Sequence, residues 1–273
     1  MKIAVSRYTL TSLLLVAATA VVSALVGDIG PYLELFAFPV NVVLMALWLY
    51  AVVDIYRRRS SSVAARYFLS SSSTIFSIIL AAALCLVAGL QATPATTSFA
   101  FVAALFYCLT QITLVTLRGL RDRGGVRYLF TLSHLGLWLV LVAGLWGAPD
   151  SRTVRMRVGA EPTKEAVTAA GTMTYLDYEV ALADFSVTYF DNGVPSDYSA
   201  DVVVAGQPVT LKVNHPYSVA YGQDIYLVSF EGSEPSYTIV LQIVFQPWRG
   251  VMRAGIVMLL LGAVLMFFRG PKR

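Results

Sequence analysis

Residues Arg127–Gly147 read RYLFTLSHLGLWLVLVAGLWG. After the opening arginine there is no Asp, Glu, Lys or Arg, and the run from 128 to 147 reaches about 30 Å as a helix at 1.5 Å per residue, the thickness of bilayer hydrocarbon. Similar runs occur at roughly 8–26, 35–53, 68–90, 98–117 and 251–268, which makes about six spans. The 273-residue chain is 57% hydrophobic and 13% charged, with a mean hydropathy of +0.69. A bilayer is the solvent such a chain expects.

The net charge of +4 does not point to nucleic acid, because the basic residues fall in short clusters between apolar runs, where they orient helices. Nucleic acid is therefore excluded as a partner. Lys2 and Arg7, then Arg57, Arg58, Arg59 and Arg66, then Arg118, Arg121, Arg123 and Arg127, then Arg269, Lys272 and Arg273 occupy every second helix exit. The positive-inside rule makes these exits, and both termini, cytoplasmic. The first run resembles a signal peptide with Val22-Ser23-Ala24 as a cleavage site, but it is longer than a usual signal core and reads as a retained anchor. Asp54, beside Arg57, reads as a solvated interface charge. Cys85 and Cys108 sit inside apolar runs without CxxC or CxxCH spacing and read as small hydrophobes.

Residues 148–248 change character. Phe185, Val187 and Tyr189 alternate with Ser186 and Thr188 before the turn Asp191-Asn192-Gly193, and Val209, Leu211 and Val213 alternate with Thr210, Lys212 and Asn214. Period-2 patterning with frequent turns predicts an antiparallel β-sandwich, and the orientation rule puts it outside the cytoplasm. The expected organisation is a five-helix transmembrane region over 1–147, an extracytoplasmic β domain over 148–248, and a last helix with a basic cytoplasmic tail over 249–273. Trp146 and Trp248 bracket the β domain as interfacial aromatics. Arg249 and Arg253, one turn apart at the outer end of the last span, run against the orientation bias. They reach either lipid phosphates or an anionic ligand.

His134 follows Arg127 by about seven residues, so it lies on the order of 10 Å into the bilayer. An imidazole there needs a hydrogen-bond partner, such as Ser133 or Thr131, or else a metal. As a haem ligand it would have the ring of Trp138, at i+4, on the same helix face. His215, in VNHPY, reads as a strand exit beyond the opposite membrane surface, too far away to share an iron with His134.

Three stretches together resemble the ResB family of cytochrome c biogenesis proteins, the system II component also called CcsB. They are LSHLGLWLVLVAGLWG (132–147), GQPVTLKVNHPYSVAYGQDIYLVSFEG (206–232) and FQPWRGVMRAGIVMLLLGAVLMFF (245–268). The resemblance covers about the C-terminal half, and residues 1–120 depart from the family's usual form. It implies a multi-pass protein of the bacterial inner membrane with a periplasmic domain. That protein would work with a CcsA-like membrane partner to hold or pass haem b transiently for attachment to apocytochrome c. The resemblance also implies His134 as the axial metal ligand, and Trp138, Arg249 and Arg253 are the further candidate cofactor contacts that their positions suggest. The chain would be a subunit of a haem-handling synthase and not a catalyst alone, since it carries no Ser/His/Asp set, phosphate-cradling loop or paired helical carboxylates. The alternative is a membrane-anchored scaffold or sensor whose β domain binds a partner without haem.

Overall fold

The computed structural model describes residues 7–58, 61–90, 95–121, 127–234 and 236–269. It divides into a helical unit, Met1–Pro149 with Trp248–Arg273, and a β unit, Asp150–Pro247.

The helical unit contains α1 (Arg7–Val26), α2 (Val40–Arg58), α3 (Val63–Phe68), α4 (Ser71–Leu90), α5 (Phe99–Arg121), α6 (Arg127–Trp146) and α7 (Arg249–Arg269). All but α3 contain a segment long and apolar enough to cross a membrane. The second span begins at Val40, later than its hydropathy predicts, because Gly30–Phe36 forms a 3-10 turn with a proline in its first turn. Pro39 then has no N–H to give a helix interior and stands just before the helix start. The third expected run divides at its N-terminal end. The Ser62 hydroxyl accepts from Ala65 N–H at 3.2 Å to cap α3, and the Ser70 hydroxyl accepts from Ser73 N–H at 3.2 Å to start α4.

α5 is the hub of the bundle, touching α1, α2, α4 and α6. Its α4 side carries a polar network. Tyr107 OH lies 2.8 Å from Ser73 Oγ and 3.1 Å from Tyr67 OH, and Tyr67 OH lies 2.7 Å from Ser12 Oγ. Ser73 Oγ donates to Gln111 Oε1 at 3.0 Å, and Gln111 Nε2 donates to Thr74 Oγ1 at 2.9 Å. The amide oxygen can only accept, so Ser73 gives its proton to Gln111 and accepts that of Tyr107. Four helices are joined by groups that would otherwise be costly in an apolar interior.

α6 and α7 pack backbone to backbone. A Cβ on Gly136 would fall 2.5 Å from Leu259 N, one on Gly255 would fall 2.8 Å from the Gly136 carbonyl, and one on Gly262 would fall 2.8 Å from Ser133 N. Small residues repeated along both helices allow this approach.

The β unit contains β1 (Arg152–Val158), β2 (Thr163–Thr168), β3 (Met173–Tyr189), β4 (Pro195–Val204), β5 (Gln207–Lys212), β6 (Tyr217–Ala220), β7 (Gln223–Ser233) and β8 (Ser236–Phe245). The expected antiparallel strands are present, but they do not form two separate sheets. Hydrogen bonding runs through one eight-stranded sheet in the order β5-β4-β3-β2-β1-β8-β7-β6. The reason lies in β2, which pairs with both β1 and β3 and so carries the ladder across the place where a sandwich would separate. Register shifts at Thr163/Glu165 and at Leu182/Asp184 bend the sheet onto itself. Phe185 of β3 consequently meets Phe230 of β7 at 4.8 Å between ring centroids, and Tyr198 OH of β4 donates to the Val228 carbonyl at 2.8 Å. Val154, Met156 and Val158 alternate inward with Leu241, Ile239 and Ile243 in the enclosed core.

Candidate functional site

Phe130, His134 and Trp138 recur every four residues on α6 and form one stripe. At 3.6 residues per turn this stripe is turned about 160° from Gly136, so it faces away from the α7 seam. Its two ends rest on α5. Trp138 Nε1 donates to Thr113 Oγ1 at 2.8 Å, and a Cβ on Gly119 would fall 2.7 Å from the Phe130 ring.

His134 lies between these two contacts and is half-buried. Its Nδ1 is 2.8 Å from the Phe130 carbonyl oxygen, and the two rings stack with centroids 3.5 Å apart. A carbonyl accepts only, so Nδ1 carries the hydrogen, and in the neutral ring the lone pair sits on Nε2. Nε2 bonds no described residue. Neither hydroxyl expected to satisfy the ring does so: Ser133 Oγ donates to the Leu129 and Phe130 carbonyls, both at 3.1 Å, and Thr131 makes no bond to it.

Sequence reasoning missed the facing residue, Thr116. Thr113, Thr116 and Gly119 are successive i+3 positions on α5, and since the outer two touch α6, Thr116 faces α6 at the depth of His134. Its hydroxyl is buried and has no hydrogen-bond partner among the described residues. The available signal was the recurrence of Thr110, Gln111, Thr113 and Thr116 within a largely apolar span. A lone-pair nitrogen and an unsatisfied hydroxyl thus lie at one depth along this seam.

Arg249 and Arg253 are not brought to it. Arg249 begins α7, and Arg253 is exposed one turn on. Both are turned by more than about 100° from Gly255, which faces α6. The arginines and the histidine therefore occupy opposite sides of the α6–α7 pair. His215 is exposed in the β5–β6 turn, where its N–H donates to the Lys212 carbonyl at 3.1 Å after Asn214 at φ 61°. Asp54 pairs with Arg58 at 3.3 Å. Cys85 is exposed and Cys108 is buried, both as free thiols. Among the described residues no three His, Cys, Asp or Glu side chains come together as a metal set.

No curated protein matches the chain. A solved structure titled Cytochrome c Heme Lyase CcmF is similar over 93% of this chain and 44% of that chain, at 17% identity and a TM-score of 0.37. This chain thus spans less than half the length of that protein. A family model described as ResB-like matches residues 122–239. This range contains α6 with the His134 stripe and most of the β unit, and two of the three stretches that carried the resemblance; the third, 245–268, lies beyond it. From Asp122 to Ile239, then, this chain is similar to the ResB-like family.

Proposed function

We propose that the chain is the ResB-type component of a system II cytochrome c maturation complex in a bacterial inner membrane. In this reading it works with a CcsA-like partner to pass haem outward for covalent attachment to apocytochrome c. Haem is the cargo, and His134 Nε2 is the axial donor that holds it within the bilayer.

The observation that carries the reading is the state of the imidazole. Its Nδ1–H is committed to the Phe130 carbonyl and its Nε2 has no partner among the described residues, the division of labour by which metal-binding histidines are oriented. Trp138, fixed by Thr113, offers an aromatic wall on the same stripe. The half-exposed position of His134 suits a macrocycle lying against the α5–α6 face and covered on its far side by a second protein. Axial coordination in an apolar setting shields iron from water, and a polar niche lowers the cost of moving two propionates through hydrocarbon. Arg249 and Arg253, on the other side of the α6–α7 pair, would serve anionic groups at the outer surface, propionates after release or lipid phosphates. The orientation follows the arginine clusters, with both termini in the cytoplasm and the β domain in the periplasm, where apocytochrome is presented.

The test is the absorption spectrum of the full chain purified from haem-replete cells, alone and with a CcsA-like partner. A Soret band that disappears in His134→Ala and returns when imidazole is added supports the reading. A colourless parent complex that still captures its partner overturns it in favour of a haem-free scaffold.

A further inference from the structure

The β unit has an unused strand edge. β3 is 17 residues long, but β2 accompanies it only between Met173 and Val180. The β1–β2 hairpin then closes against it, with Leu182 N–H donating to the Gly159 carbonyl at 2.8 Å. From Ala183 to Tyr189, β3 pairs with β4 on one side and with no described strand on the other. Across the same opening β8 outruns β1: their last pair is Val158 with Ile239, whereas β7 follows β8 to Ser236. Between these two rims is a cavity of about 530 Å³, with Gly159 and Ala160 at its end, Asp184 and Phe185 on one side, and Glu234 and Tyr237 on the other. The Phe185 and Tyr237 rings meet with centroids 4.8 Å apart.

An unpaired edge is a template for another strand, and natural domains blunt it with lysine, proline or a covering segment. Residues 185–189, Phe-Ser-Val-Thr-Tyr, have no such guard and high β propensity. The edge runs into an apolar tip where Tyr189 is 53% exposed, Phe190 59% and Val194 53%. The free run of seven residues spans roughly 20 Å at about 3.3 Å per residue.

Charge selects the occupant. The β3–β4 hairpin, residues 173–204, holds six acidic residues and no lysine or arginine, within a chain of net charge +4. Asp184 and Glu234 flank the cavity and neither forms an ion pair with a described residue. A second copy joined edge to edge would set two acidic hairpins against each other, an unfavourable juxtaposition.

We infer that the β3 edge from 183 to 189 receives an extended segment of a partner polypeptide that carries lysine or arginine. It adds as a strand beside β3, with its backbone on the free edge and its basic side chains against Asp184 and Glu234. The inference deepens the proposed function only by naming how a polypeptide partner is gripped, and it is read out without haem.

The test uses the full chain in nanodiscs of zwitterionic lipid and a short fluorescent peptide of alternating lysine and valine, followed by anisotropy. The basic peptide binds and its aspartate counterpart does not. N-methylation of alternate peptide bonds along one peptide edge, which removes backbone donors while leaving the protein intact, weakens binding by about tenfold or more. Asp184→Lys with Glu234→Lys weakens it by about tenfold, and added salt weakens the parent interaction. Equal binding of the N-methylated peptide, an undiminished affinity in the double variant, or self-association of the chain through β3 overturns the inference. So does failure of the basic peptide to bind, and none of these outcomes alters the Soret result for His134.

Discussion

Replacing Gly136 by alanine should destabilise the helical unit, although alanine is the better helix former. The added methyl would sit 2.5 Å from Leu259 N, 2.7 Å from the Gly255 carbonyl and 3.0 Å from Leu259 Cα, all backbone atoms that no rotamer change can move. Ordinary contact needs about 3.5 Å, so α6 and α7 must separate by about 1 Å. A gap of that size forfeits a quarter to a half of each contact of about 0.1–0.2 kcal/mol, or about 2 kcal/mol over on the order of thirty atom pairs. The gain in helix propensity returns about 0.5–1 kcal/mol. The net loss is therefore about 1 kcal/mol for alanine, and about 3 kcal/mol for the larger Gly136→Ile. Gly144, on the same helix, has nothing within 4 Å of its notional Cβ, so Gly144→Ala should leave stability unchanged or raise it. The assay is reversible unfolding of the full chain in mixed micelles with increasing dodecyl sulfate, followed by helical circular dichroism. Shifts of the two alanine variants in the same direction would refute the seam as the cause.

Three further outcomes follow from described contacts. Tyr107→Phe removes the donor to Ser73 and the hydroxyl paired with Tyr67, and in the same unfolding assay it should cost about 1–3 kcal/mol. Adding Tyr67→Phe should then cost less than its effect alone, because the two share a bond. Asp28, outside the spans, accepts from Gly30 N–H at 2.9 Å; this bond, and then Thr97, holds its carboxyl below the ordinary 3.8. Its contribution is present above that ordinary value and is lost as pH falls through the lowered one, so parent and Asp28→Ala should converge in stability under acid. Burial pushes the Tyr178 phenol up to about 12, against the opposing bond from Gln223. The folded β unit then keeps a proton the unfolded chain has lost, so stability should fall between about pH 10 and 12, and Tyr178→Phe should remove both that slope and the latest tyrosinate absorbance.

The spans were legible because length and hydropathy are properties of single segments: α6 begins and ends within a residue of the run that starts at Tyr128. β3 and β5 followed from alternation, and Gly193 turns at φ 77° where Asp191-Asn192-Gly193 predicted it. What pairs with what was not legible. Ser12, Tyr67, Ser73 and Gln111 each look incidental in sequence, and only the bundle brings them together. Likewise β2 is a short strand whose effect, carrying one ladder around the bend, depends on partners on both sides. At the candidate site, His134 and Trp138 were found from their spacing, but the glycines that turn them away from α7, and Thr116 opposite, required the helix contacts.

The hub position of α5 limits how this protein can be shortened. Its one side supports the His134 stripe through Thr113 and Gly119, while the other keeps Gln111 and Tyr107 satisfied only through α4 and α3. Cutting the chain just ahead of α5 would strand an amide and a phenol in oil, and cutting it back to residues 122–239 would remove α5 and with it the Thr113 acceptor of Trp138. The front helices are thus no detachable accessory: whatever keeps α5 has to keep α3 and α4 with it.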